Sequence, residues 1–150
     1  YAFAAAFSAG VMMPVGYEFG FRRQVNVVET MPSDWERRVW DLRPFVGRVN
    51  RLKLRHPLLQ GEGVLRAAEP GGDTLLLERR AGEAAGAPRG WIVVNKSRNE
   101  GREVRLPEGA QGAGLRLFRV CRDEAPEEGE AVPPSLALEP AEVAYVLPAL

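Results

Sequence analysis

Apolar positions along the chain fall into three textures. In the first, Tyr1 to Ser8 (YAFAAAFS) is alanine-rich and predicts a helix, with Phe3 and Phe7 four residues apart on one face. Val11, Met12, Met13 and Val15 then follow without polar alternation. So short a run reads as a strand buried on both faces, the parallel-sheet type, with a buried helix segment as the alternative that periodicity alone leaves open. Pro14 argues against a central antiparallel strand because it has no N–H to give to the ladder. Gly16 and Gly20 bracket Tyr17 and Glu18 and allow a sharp turn or a close backbone approach.

The second texture is helical. Leu42, Phe45, Val46, Val49 and Leu52 repeat at spacings of three and four, predicting a helix over Asp41–His56. Asp41 can cap it, Pro44 is tolerated in its first turn, and Pro57 stops it. Arg43, Arg48, Arg51 and Arg55 take its other faces. Between the two textures, 21–40 reads as a long connection with Pro32-Ser33-Asp34 as a turn or helix start. It is a candidate substrate wall, or a solvated connector with Trp35 and Trp40 packed beneath it.

From Gly61 onward, short β-favouring runs alternate with turn clusters, the texture of an antiparallel sandwich. Strands are predicted near 63–68, 74–79, 91–95, 103–106, 115–120 and 142–147, with a further short one near 136–138. Lys96–Gly101 reads as a polar hairpin loop. Cys121–Pro134 is acidic and proline-rich and reads as mobile.

Composition narrows the function classes. The 150 residues carry zero formal net charge, so no general attraction to nucleic acid or to an anionic membrane is indicated. The halves differ: residues 1–60 carry about +4 and 61–150 about −4, a weak bias toward docking on each other. Nearly all the cations are arginine, read as genomic composition. Cys121 is the only cysteine, so no internal disulfide forms and a reduced, cytoplasmic compartment is the simplest reading. Tyr1–Tyr17 is uncharged, but a spanning helix needs roughly 17–25 apolar residues, and Ser8, Gly10, Pro14 and Gly16 interrupt this one. No membrane partner is expected. The chain starts at Tyr1 without an initiator methionine and is read as an excised piece.

Three sites on the chain resemble the α-amylase family of glycoside hydrolases. The stretch GVMMPVGYEFG resembles that family's eighth-strand motif, with Gly10, Gly16 and Glu18 matching it. Gly16-Tyr17-Glu18 is similar to the Gly-Tyr-Glu of the maltosyltransferase-like branch, whereas Met13-Pro14-Val15 departs from the tyrosines many amylases carry there. LRPFVGRVNRLKLRHPLL resembles the last barrel helix, which ends in His-Pro-x-Leu, as His56-Pro57-Leu58-Leu59 does. The second half is similar to the family's antiparallel C-terminal domain, with WIVVN ending at Asn95 and the final hairpin at Leu138–Val143.

The resemblance implies a mainly β (α+β) chain. Residues 1–60 would be the end of a (β/α)8 barrel (last strand and helix), and residues 61–150 an antiparallel β-sandwich C-terminal domain. The parent would act on α-1,4-glucans or maltosyl substrates as a hydrolase or transferase. Such retaining enzymes use two carboxylates about 5–5.5 Å apart. In the family these lie upstream of the eighth strand, so no catalytic residue is expected here, and neither a metal nor a cofactor. Tyr17, Glu18 and Arg22 are the substrate-proximal candidates, with Glu18 bracing its loop.

Other chemistry is sparse. His56 is the only histidine, which leaves no histidine-rich metal site, and it reads as a helix-end residue meeting free carbonyls. Arg119 and Arg122 could lower the Cys121 pKa, against acidic neighbours. Two alternatives stand beside the family reading: a non-catalytic β-sandwich module binding glycan or protein with Trp91 as stacking platform, and a structural domain with no ligand. Without barrel neighbours, Val11–Val15 should pack onto the 41–56 helix, pair with a second copy in self-association, or be held by upstream sequence.

Overall fold

The computed structural model describes residues 1–26, 28–123 and 127–150. Two helices, α1 (Ala2–Phe7) and α2 (Arg43–Arg55), precede seven strands. These are β1 (Val64–Gly71), β2 (Thr74–Arg80), β3 (Arg89–Asn95), β4 (Arg102–Arg105), β5 (Leu115–Phe118), β6 (Ser135–Leu138) and β7 (Val143–Pro148). Five strands form one antiparallel sheet in the order β1-β2-β3-β7-β5, and β4 pairs with β6 in a second. The chain is mainly β, with an antiparallel sheet compatible with a sandwich.

The five-stranded sheet is buried on both faces, which is why its central strands read as nearly continuous apolar runs. Alternation along each strand separates the faces. Leu77, Ile92, Phe118, Val143, Tyr145 and Leu147 meet the helices. Leu76, Trp91, Val93, Leu117, Ala144 and Val146 meet Val104, Leu136 and Leu138 of the small sheet. The molecule is thus layered: helices, large sheet, small sheet. Residues on both sides of position 60 share the helix-side core, since Ala2, Ala5, Ala6, Val49, Leu52 and Leu59 pack there.

Helix α1 docks through its alanines, whose small side chains let its backbone approach closely. The Tyr145 hydroxyl donates to the Ala2 carbonyl at 2.6 Å. Phe3 and Phe7 do share a face, 5.3 Å apart, but Phe7 is exposed. In α2, Val46, Val49 and Leu52 are buried, while Leu42 and Phe45 are only partly so. Asp41 accepts from the Arg43 N–H at 3.1 Å, and the helix begins two residues later than its sequence pattern.

Two cations lock the helices to the sheet with no carboxylate in contact among the described residues. Lys53 Nζ donates to the carbonyls of Ala5, Ser8 and Leu59 at 2.8, 2.6 and 2.5 Å. Arg79, 1% exposed, donates to Leu58, Phe7 and Gly61 at 2.8, 2.8 and 2.5 Å. Burial pulls both pKa values down, and for Lys53 the neighbouring Arg79 adds to the effect.

Several expectations need correction. Val11–Val15 is irregular, not a strand: no strand among the described residues lies beside it, and Pro14 cannot donate to one. Val11 touches the helix-side core, whereas Met12 is 95% and Val15 58% exposed. Lys96–Gly101 is not a hairpin but carries the chain from the large sheet to the small one. Asn95 directs that crossing: its side chain is buried, donates to the carbonyls of Glu100 and Glu139, and accepts from the Ser97 N–H. Of the acidic loop expected to be mobile, 124–126 lie outside the described residues, and Glu130 bridges to Leu117. Among the described residues, no helix is long and apolar enough to cross a membrane.

Candidate functional site

The Gly16–Gly20 bracket is a built turn. Tyr17–Phe19 forms one 3₁₀ turn, with Gly16 at φ 86° and Gly20 at φ 74° on either side. Both values lie in the left-handed region that side chains resist. Space closes the argument: a Cβ on Gly16 would stand 2.1 Å from the Phe21 ring, and one on Gly20 2.6 Å from the Trp40 ring. The turn is pinned to the start of α2, since the Glu18 carbonyl accepts from Leu42 N–H at 2.8 Å and the Phe19 carbonyl from Val39 N–H at 2.9 Å.

The three candidate residues serve different surroundings. Tyr17 is partly exposed, its ring 6.2 Å from that of Tyr1. One Glu18 carboxylate oxygen is buried with no hydrogen-bond partner among the described residues. Glu18 lies near enough to Arg43 to favour its charge, a minor contribution beside that of Asp41. The Arg43 guanidinium grips Asp41 at 2.6 and 2.8 Å and pulls its carboxyl down to about 2. Arg22 has an exposed side chain, and its ordered group is the backbone N–H. That N–H and the N–H of Arg23 donate to Glu36 at 2.5 and 2.7 Å and lower its carboxyl pKa. Neither of the two described cavities is lined by Tyr17, Glu18 or Arg22.

The connection after the turn is an aromatic–arginine face. The Phe19 ring lies under the guanidinium groups of Arg38 and Arg43, at 4.5 and 5.3 Å. Phe21 bridges Phe19 and Trp35. Trp35 and Trp40 are not packed beneath the loop but stand 48% and 49% exposed. Trp91 is the reverse case: 2% exposed in the core between the sheets, it cannot be a stacking platform.

His56 does not meet helix carbonyls through its ring. It is buried edge-on against Phe118, 5.0 Å between centroids, and its Nε2 lacks a partner among the described residues. Burial, then Arg55, lowers its pKa. Cys121 is an exposed residue whose thiol accepts from the Val143 N–H at 3.4 Å, and burial of that thiol pushes its pKa up, away from thiolate. Among the described residues no group of three or more His, Cys, Asp or Glu side chains could hold a metal.

Sequence reasoning missed the network around Glu142. This carboxylate is buried, accepting from Arg119 at 3.0 Å, Arg122 at 2.9 and 3.0 Å and the Glu139 N–H at 2.7 Å. Burial alone would raise its pKa, but those bonds outweigh burial and the net shift is downward. No protein-family model matches this chain, and no curated protein matches it.

Proposed function

We propose that this chain is the C-terminal portion of an α-amylase-family enzyme acting on α-1,4-glucans, of hydrolase or maltosyltransferase type, with no turnover of its own. The observation that carries the reading is the pairing of an apolar run that reaches the core only through Val11 and a glycine-bracketed turn. Met12 and Val15 stand in solvent, and burying such a side chain is worth roughly 1.5–3 kcal/mol. A run of this kind is what the last barrel strand would be apart from its neighbours. The turn then offers Tyr17 at the surface, while Glu18 ties the turn to α2 through its backbone carbonyl and holds a buried carboxylate oxygen without a partner among the described residues. In this reading 1–60 closes the barrel, 61–150 is the β-domain, Arg22 flanks the substrate, and the enzyme works in the cytoplasm.

The test is an assay of the pure chain on starch, glycogen and maltosyl phosphate, together with the coding sequence upstream of Tyr1. The reading requires no product, and further β/α units upstream with paired carboxylates. Sustained turnover abolished by Glu18→Gln would overturn it, as would an upstream region without those units.

A second reading is favoured by the half-exposed Trp35 and Trp40: a glycan-binding face on a non-catalytic module. Quenching of tryptophan fluorescence by maltoheptaose, lost in Trp40→Ala, would support it. No quenching in the unmodified chain would remove it.

A further inference from the structure

α2 and the end of β5 flank a small cleft of about 60 Å³, lined by no residue of the Gly16–Gly20 turn, with an apolar floor of Leu52, Phe118 and Val120. Five guanidinium groups line it: Arg48, Arg51 and Arg55 from α2, and Arg119 and Arg122 from the segment after β5. The helical three are spaced three and four apart, so they project from one face of α2. Glu127 is the one carboxylate among the described lining residues.

Of the acidic groups around these arginines only Glu142 is buried, while Asp123, Glu130 and Glu139 stand at the solvent-facing rim. Glu142 is 2% exposed and committed to Arg119 and Arg122. Glu130 and Glu139 reach the same two arginines only at 3.9 and 3.8 Å. Asp123 pairs with Arg48 at 2.6 Å. Arg51 and Arg55 differ: their partner among the described residues is Glu127, at 4.0 and 3.8 Å. Those distances exceed the roughly 2.7–3.2 Å of a hydrogen bond, so one carboxylate lies between two forks and satisfies neither.

We propose that this cleft binds a phosphate monoester carrying an apolar or aromatic body, with Glu127 as an internal placeholder for the phosphate. A phosphate dianion has more charge and more oxygens than a carboxylate, and it can accept bidentate bonds from two guanidinium forks at once. Arg51 and Arg55 grip the headgroup, Arg48 stays paired with Asp123, and the ester's body meets the small part of Leu52, Phe118 and Val120 that the cleft leaves open. The walls are rigid on the sheet side, since Glu142 fixes Arg119 and Arg122. Binding moves Glu127 outward, where its side chain is already largely exposed.

Calorimetric titration of the full chain with phenyl phosphate and with inorganic phosphate, at low ionic strength against matched sodium chloride, tests this. Phenyl phosphate should bind more tightly than inorganic phosphate. The double variant Arg51→Gln/Arg55→Gln should weaken both by about tenfold or more, the effect of losing charge-assisted bonds. These side chains are 61% and 45% exposed, so the variant should keep the melting temperature of the parent, which circular dichroism verifies. Glu127→Gln should tighten binding, because the competitor for the site loses its charge. Heats no larger than those of chloride, unchanged affinity in the double variant, or unchanged or weaker binding in Glu127→Gln would overturn the proposal. Equal affinity for the two phosphates would overturn the role of the apolar floor.

Discussion

Replacing Arg79 by methionine should cost the chain about 3–5 kcal/mol. The guanidinium makes three bonds to carbonyls and pairs with no carboxylate among the described residues, so the change mainly strands acceptors. A hydrogen bond involving a charged group is worth about 1.5–3 kcal/mol, which would give roughly 4–9 for three bonds. Two of the three are only partly buried, so water can replace them at Phe7 and Gly61, and methionine fills much of the vacated volume. The bond to Leu58 is buried and has no such substitute. At roughly 2–4 °C per kcal/mol for a domain this size, the melting temperature should fall by about 6–20 °C. Thermal unfolding followed by circular dichroism reads that shift, and amide exchange locates it. Protection should drop first in Ala2–Phe7, because Arg79 holds the end of α1. Arg79→Lys should recover part of the loss. A cost below about 1 kcal/mol with unchanged protection in α1 would refute the idea that this cation docks the helix layer.

Three further outcomes follow from individual contacts. Glu142→Gln leaves Arg119 short of its buried counter-charge and should cost about 3–5 kcal/mol. Because the Glu142 pKa is lowered in the fold, its contribution is full above the unfolded value near 4.5 and lost as pH falls through the folded one; acid titration of the variant should lack that loss. His56 works in the opposite sense, being held neutral: below its ordinary value of 6.5 the unfolded chain takes up more protons, so stability should fall from pH 7 to pH 5, and His56→Phe should flatten that slope in urea titrations. Gly20→Ala should cost about 1–3 kcal/mol by left-handed strain and the clash with Trp40, while a change within about 0.5 kcal/mol would show that the turn relaxes freely.

The strands were legible because β-rich segments state their own period. In β3 and β7, residues facing opposite layers alternate at every position, and the turn clusters between runs mark where pairing must stop. Even Arg79 left a trace, since it follows Leu75 and Leu77 at spacing two and therefore shares their buried face. Its partners did not, because they are backbone carbonyls on α1 and around Leu58–Gly61, which no side-chain pattern encodes. The same limit explains Val11–Val15. An apolar run says that burial is favourable but not what provides it, and here only Val11 finds the core. The tryptophans show the converse, since composition does not tell a core tryptophan from a surface one. Trp91 sits in a run with strand neighbours on both sides, whereas Trp35 and Trp40 lie in a connection without periodicity.

The two carbonyl-bound cations also decide what the first sixty residues are to the rest. Lys53 and Arg79 together take six carbonyls, three from α1 and the residue after it and three from Leu58, Leu59 and Gly61. A cation drawn out of water with no carboxylate in contact among the described residues needs those dipoles, since transferring it is otherwise costly. Helix α1 is therefore part of the solvation of Lys53 and Arg79, and α2 supplies one of the two. The stretch from Met12 to Trp40 stands apart from this arrangement: it contributes the exposed apolar side chains, the aromatic–arginine face and the glycine turn, and the cation clamps do not reach it. The first sixty residues thus divide by physics and not by position. Their two ends are bound into the β-layered core, and their middle is a surface organised around Gly16–Gly20.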